Sequence, residues 1–105
     1  MNPKTVGLVF LKCRDGKISE LHERISQLMD TFSPEQQKDF AIDFAIRIVG
    51  CYDCLVSIRG NEAESISDFV LMKLRKPNQD VIADTQTFIG WPIGERVEAF
   101  LSQST

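Results

Sequence analysis

The sequence predicts an α+β fold in which four strands and two helices follow the order β-α-β-β-α-β, with a further helix added at the C-terminus. Three observations predict it. Apolar and β-branched residues alternate with a period of two in four segments, and two intervening segments carry apolar residues at helical spacing. The second and third strand segments are separated only by residues 50–53, a connection short enough to make them an antiparallel hairpin.

The first strand is TVGLVFLKC, residues 5–13. Val6, Leu8 and Phe10 alternate with Gly7, Val9 and Leu11, so both faces are apolar and both call for burial. After Asp15-Gly16, the positions Ile18, Leu21, Ile25, Leu28 and Met29 share one side of a helix over about residues 17–31, with Glu20, Glu23, Arg24 and Gln27 opposite. In SPEQQKDF, Ser33 as a cap, Pro34 at the first helical position and Gln36 reaching back predict a short extra helical turn. The second strand, AIDFAIRIV, sets Ile42, Phe44, Ile46 and Ile48 on one face against Asp43, Ala45, Arg47 and Val49. In the third, Cys54, Val56 and Ile58 alternate with Leu55, Ser57 and Arg59.

Asn61, with Glu64 three residues on, marks the start of a second helix whose apolar positions are Ile66, Phe69, Val70 and Leu74. KPNQD ends it, because Pro77 cannot continue the hydrogen-bond ladder and Asn78 favours a turn. The cluster KLRK, residues 73–76, then places cations at the negative end of the helix dipole. VIADTQTFIG supplies the fourth strand, and after Trp91 a final helix opens at Pro92 with Ile93, Val97, Phe100 and Leu101 on one face. Two right-handed crossovers put both helices on one side of a four-stranded sheet, the ferredoxin-like arrangement. The other apolar side needs the last helix or a second copy of the chain to cover it, and a homodimer is the preferred expectation.

Composition narrows the function. A chain of 105 residues with 43% hydrophobic and 26% charged residues is long enough for one globular domain, residues 1–105, and has no room for a second. A net charge of −3 and a single basic cluster argue against direct nucleic-acid binding. No run approaches the ~18 apolar residues of a membrane helix. The N-terminal MNPKTVGLVFLKCRD lacks a secretory cleavage site, and three cysteines, an odd number, suit a reducing compartment, so a cytoplasmic protein is expected.

The residues able to carry chemistry are few. Cys51 and Cys54 form a C-x-x-C pair, which serves as a redox couple, half a zinc site, or two side chains beside a turn. A redox cysteine is activated at a helix N-terminus, whereas this pair lies between two strands beside Asp53, which disfavours a thiolate. A structural zinc needs four ligands, and Cys13 and His22 are far away in the chain. Small side chains at a hairpin are the favoured reading. His22 is the only histidine and reads as a surface or interface residue, and Asp53 and Asp84 read as turn carboxylates before an acid–base pair. No phosphate loop, dinucleotide fingerprint, nucleophile elbow or H-E-x-x-H occurs. No catalytic residue, metal or cofactor is expected, and the chain is not expected to be an enzyme.

IVGCYDCLVSI followed by a helix, and then VIADTQTFIG, resemble the G-x-Y-D hairpin and T-x-T strand of the ligand-sensing (RAM-type) domain of leucine-responsive, Lrp/AsnC-type transcription regulators. The resemblance covers almost the whole chain in the order of its elements. It implies a dimeric α/β barrel, two sheets packed face to face, with dimers joining into higher oligomers, and amino acids bound in clefts between dimers near the G-x-Y-D loop. On that basis Gly50 would allow close backbone approach, Tyr52 would wall the cleft, and Asp53 would orient the loop or meet an ammonium group. Thr85 and Thr87 would line the same region with hydroxyls. The regulators carry an N-terminal helix-turn-helix, whereas this sequence opens on its first strand, so a DNA-binding domain is not expected.

These readings converge on a stand-alone module that senses an amino-acid-like molecule, oligomerises, and modulates a related regulator by co-assembly. A small dimeric α/β-barrel enzyme of monooxygenase or isomerase type, and a pure oligomerisation scaffold, are the alternatives.

Overall fold

The computed structural model describes residues 5–34 and 40–94. Strands β1 (Thr5–Cys13), β2 (Phe40–Arg47), β3 (Cys54–Gly60) and β4 (Ile82–Gly90) form one antiparallel sheet in the order β2-β3-β1-β4. Helix α1 (Ile18–Thr31) packs on β2, and α2 (Ala63–Phe69) packs on β1 and β3. The expected hairpin is the β2–β3 pair, and both helices lie on one side of the sheet, as the two crossovers require.

The register assigns each strand residue to a side. Val9 stands opposite Val56 and Thr87, and Leu11 opposite Cys54 and Thr85, on the side that carries the helices. Phe10 stands opposite Leu55 and Gln86, and Leu8 opposite Ser57 and Phe88, on the other side. The doubly apolar character of β1 is therefore realised: its Val9 and Leu11 are fully buried beneath helices, while Val6, Leu8 and Phe10 are half-buried on the open side.

β2 departs from the simple alternation. A bulge between Ile42 and Phe44 sets Asp43 and Phe44 against Ser57, so Ile42 pairs with Ile58 on the helical side while Phe44 and Ile46 fall on the open side. Ala45, expected opposite the core, instead faces Val56 and packs against the buried cluster. The residue that enters the bulge is charged, and its carboxylate accepts a bond from Arg59 Nε on β3 at 2.8 Å. Ile48 and Val49 lie beyond the strand, and Val49 is fully exposed.

The second helix begins at Ala63, with Glu62 and not Asn61 at its N-cap position. Asn61 has another task, since its carbonyl accepts a bond from the Thr5 hydroxyl at 3.3 Å. Beyond α2 the backbone continues as a π-helical stretch, Val70–Arg75, and a 3-10 turn, Lys76–Asn78, which holds Pro77. Val70 and Leu74 are both buried along this stretch. Asn78 ends the run, donating from Nδ2 to the Leu74 carbonyl at 2.7 Å and so satisfying an orphan acceptor at the helix end. Lys73 and Arg75 occupy the last turn, where their charges oppose the dipole.

The core lies between the helices and the sheet, around the fully buried Val9, Leu11, Leu21, Ile58, Ile66 and Leu74. Ile66 is seated in a notch made by two glycines: a Cβ at Gly7 would come within 2.5 Å of its Cγ2, and one at Gly60 within 2.9 Å of its Cγ1. The glycines let α2 lie close to β1 and β3. At the C-terminal end of α1, next to the notch, Phe32, Phe40 and Phe69 pack ring against ring at centroid separations of 4.8–5.3 Å. Arg24 ties α1 to the approach of β4, donating to both Asp80 carboxylate oxygens at 2.7 Å and to Glu20 at 2.6 Å.

Residues 91–94 are not helical, so the last helix does not open at Pro92. Its remaining predicted face, Val97, Phe100 and Leu101, and the extra turn expected around Gln36, lie outside the described residues. No helix among the described residues is long and apolar enough to cross a membrane.

Gly7→Ala is expected to destabilise the fold by about 1–3 kcal/mol in urea denaturation, because the new methyl overlaps Ile66. Full stability in the single variant would contradict the notch. Hydrogen bonding from Arg24 holds the Asp80 carboxyl below its ordinary value. Its contribution is therefore complete above about pH 4, the unfolded range, and is lost as pH falls through the lower folded value. Asp80→Asn should remove this acid-side loss, giving a flatter stability profile below pH 4.

Candidate functional site

The hairpin loop that joins β2 to β3 is folded back onto the end of β1 by a single residue. Asp53 donates its backbone N–H to the Leu11 carbonyl at 2.9 Å and accepts from the Ile48 N–H at 3.0 Å. Its carboxylate Oδ2 accepts the Cys13 N–H at 2.7 Å. A carboxylate accepting a backbone N–H contributes roughly 1.5–3 kcal/mol, so Asp53 orients the loop. Lys12 adds a weaker tie, reaching the Cys51 carbonyl at 3.4 Å. Gly50 has φ +150, in the range that favours glycine, and open space surrounds the position a Cβ would take. Within this subunit, backbone conformation and not close approach is what requires the glycine.

With the loop fixed, Tyr52 lies over the open side of the sheet. Its ring centroid is 5.8 Å from that of Phe10, and its hydroxyl donates to Gln86 Oε1 at 3.0 Å, so the side chain spans from the hairpin across β1 to β4. Phe10 also meets Phe88 edge to face at 5.8 Å. The three rings make an aromatic row with polar groups at one end, a geometry suited to a ligand or a protein partner.

Thr85 and Thr87 do not join this row. Because they stand opposite Leu11 and Val9, they point to the helical side, away from Tyr52. The β4 residue that Tyr52 meets is the one between them, Gln86. Alternation along TQT placed Gln86 opposite to the threonines, and this period-of-two signal identifies it once Phe10 is assigned to the open side.

The cysteines occupy different environments. Cys51 is exposed, Cys54 is buried in the core, and Cys13 is half-buried beside it; all three are free thiols. Burial first, and then the Asp53 carboxylate, push the Cys13 and Cys54 thiols above their ordinary value. Both effects favour the neutral thiol over the nucleophilic thiolate.

The sequence matches no protein-family model and no curated protein. Solved structures share its fold. An AsnC family transcriptional regulator from Agrobacterium tumefaciens is 20% identical with a TM-score of 0.64, over 90% of this chain and 55% of that one. The fold is Lrp/AsnC-like. The L-methionine complex of a transcriptional regulator from Neisseria meningitidis is 17% identical with a TM-score of 0.64, over 90% of this chain and 54% of the regulator. The chain thus spans little more than half the length of either regulator. A protein from Bacteroides thetaiotaomicron, provisionally named an antibiotic biosynthesis monooxygenase, is 8% identical with a TM-score of 0.64, over 88% of this chain and 91% of its own.

Asp53→Ala should lower stability by about 1.5–3 kcal/mol through loss of the bond from Cys13 N–H. Asp53→Asn, which keeps an acceptor, should lose less. Equal losses in urea denaturation would show that the carboxylate is not the clamp.

Proposed function

We propose that this chain is a sensing and oligomerisation module for an amino-acid-like small molecule. In this reading it pairs through its open sheet side into a dimeric α/β barrel, dimers assemble further, and the assembly modulates a related regulator. The observation that carries the reading is the side of the sheet that no described element covers: Leu8, Phe10 and Phe88 form an apolar surface, Phe88 is 53% exposed, and the Asp53-clamped loop stands at its rim. Each such side chain contributes roughly 1.5–3 kcal/mol when covered, which favours a second copy over solvent.

The fold likeness supports the ligand class, since one of the similar regulators was solved as an L-methionine complex. Gly50, Tyr52 and Asp53 are the residues of this subunit that border the proposed cleft, with Gln86 holding the tyrosine. Thr85 and Thr87, on the helical side, reach the same ligand only from a neighbouring subunit. The mechanism is linkage: a ligand contacting two dimers at once favours the assembly whose cleft it completes, by its differential affinity for the two states. No step needs this chain to touch DNA or to break a bond, and its net charge of −3 suits a protein partner better than a phosphate backbone.

A second reading, a small dimeric α/β-barrel enzyme, has one observation in its favour, the fold shared along nearly its full length with the Bacteroides protein. The two differ in what a bound molecule does, because a sensor returns its ligand unchanged.

Titration with a panel of amino acids that includes L-methionine is expected to shift the melting temperature or the assembly mass for at least one member. Tyr52→Ala should abolish that shift. If no amino acid moves either observable, the sensing half of the proposal fails and a scaffold remains.

A further inference from the structure

A second concavity lies on the other side of the sheet, between α1 and the edge strand β2, with a volume of about 270 Å³. His22, Ile25 and Met29 of α1 line one wall, Ala45 and Arg47 of β2 the other, and Cys54 of β3 the floor. Pairing through the open side would leave most of this groove untouched, because, of its lining, only Ile46, on the edge strand, faces that side.

Its chemistry is unbalanced in a specific way. The Nε2 atom of His22 is buried and has no hydrogen-bond partner among the described residues. A buried polar atom of this kind is rare in native structures and calls for an explanation. Arg47, at the rim, forms no ion pair among the described residues, and no acidic side chain lines the groove. Apart from the Ser26 hydroxyl, the remaining wall is apolar, made by Ile25, Met29, Ala45, Ile46 and the Cys54 thiol, which burial keeps protonated. An unpaired cation, an unpaired buried nitrogen and an apolar wall together match a molecule with one negative end and one short hydrocarbon end.

We infer that this groove is a binding site for a small monocarboxylate with a branched or short apolar chain. A turn of the His22 ring brings Nε2 from the wall to the carboxylate, which also neutralises Arg47; the chain lies against Ile25 and Met29. A guanidinium and a ring N–H are good donors to a carboxylate, because charge-assisted bonds are roughly twice as strong as neutral ones. The volume falls just below the roughly 300–1,000 Å³ of sites for drug-sized ligands, so the occupant has few heavy atoms. A phosphate ester would find only one cation and too much apolar wall. The site is independent of the hairpin-loop reading, from which it differs in location, in residues and in the absence of any second subunit.

The test is an NMR titration of the full chain with isovalerate and, separately, with its neutral analogue isovaleramide. The readouts are the imidazole signals of His22, the only histidine, and the Met29 methyl. Isovalerate is expected to shift both signals saturably, with isovaleramide binding at least roughly tenfold more weakly. Arg47→Gln should weaken isovalerate by a similar factor, and Arg47 is exposed enough for the variant to fold. Met29→Trp, which fills the groove, should abolish the shift at His22. Tyr52→Ala should change neither, which separates this site from the hairpin loop. No saturable shift, equal binding of the amide, or a response removed by Tyr52→Ala would each overturn the assignment.

Discussion

A four-stranded antiparallel sheet has two faces, and in this chain both are apolar while the helices α1 and α2 cover only one. That imbalance governs the rest of the molecule. On the covered side, Ile66 drops into the Gly7–Gly60 notch and Leu21, Ile25 and Leu74 complete the core. On the side that no described helix covers, Leu8 and Phe10 are only half-buried and Phe88 is 53% exposed. The proposed pairing of two sheets follows from the same hydrophobic term that builds the core, applied between copies.

The hairpin loop converts this surface into a site. Asp53 uses two backbone groups and a carboxylate oxygen to hold the loop against the end of β1, and only then can Tyr52 lie across Phe10 to reach Gln86. The same carboxylate, with burial, keeps the neighbouring thiols of Cys13 and Cys54 protonated. A hairpin whose aspartate is already engaged has its tyrosine left to meet a ligand. The groove beside His22 obeys a different logic, since its polar groups are the ones left without partners.

Much of the architecture was legible in the sequence because period-of-two and helical spacings are direct consequences of backbone geometry. All four strands and both helices of the described residues were read from such spacing, and the two-faced character of β1 followed from TVGLVFLKC alone. The failures have local causes. Alternation through AIDFAIRIV presumed an unbroken ladder, whereas the bulge at Asp43 inverts the faces of everything after Ile42. The start of α2 lies at Ala63, with extended Glu62 at the N-cap position and no side-chain cap, so the Asn61 signal did not mark the boundary. In T-x-T the family pattern directed attention to the threonines, while the register turns them to the helical side and presents Gln86 to the tyrosine. The groove at His22 depends on how α1 sits on β2, which no spacing within one segment encodes.

The open sheet face is the point on which the functional account stands. Sedimentation equilibrium over a wide concentration range tests it most directly, because the chain has a mass of 11.9 kDa and any pairing doubles it. The account predicts a dimer or a multiple of dimers, dissociated by Phe88→Lys on the uncovered side. A single-chain mass at every concentration would contradict it.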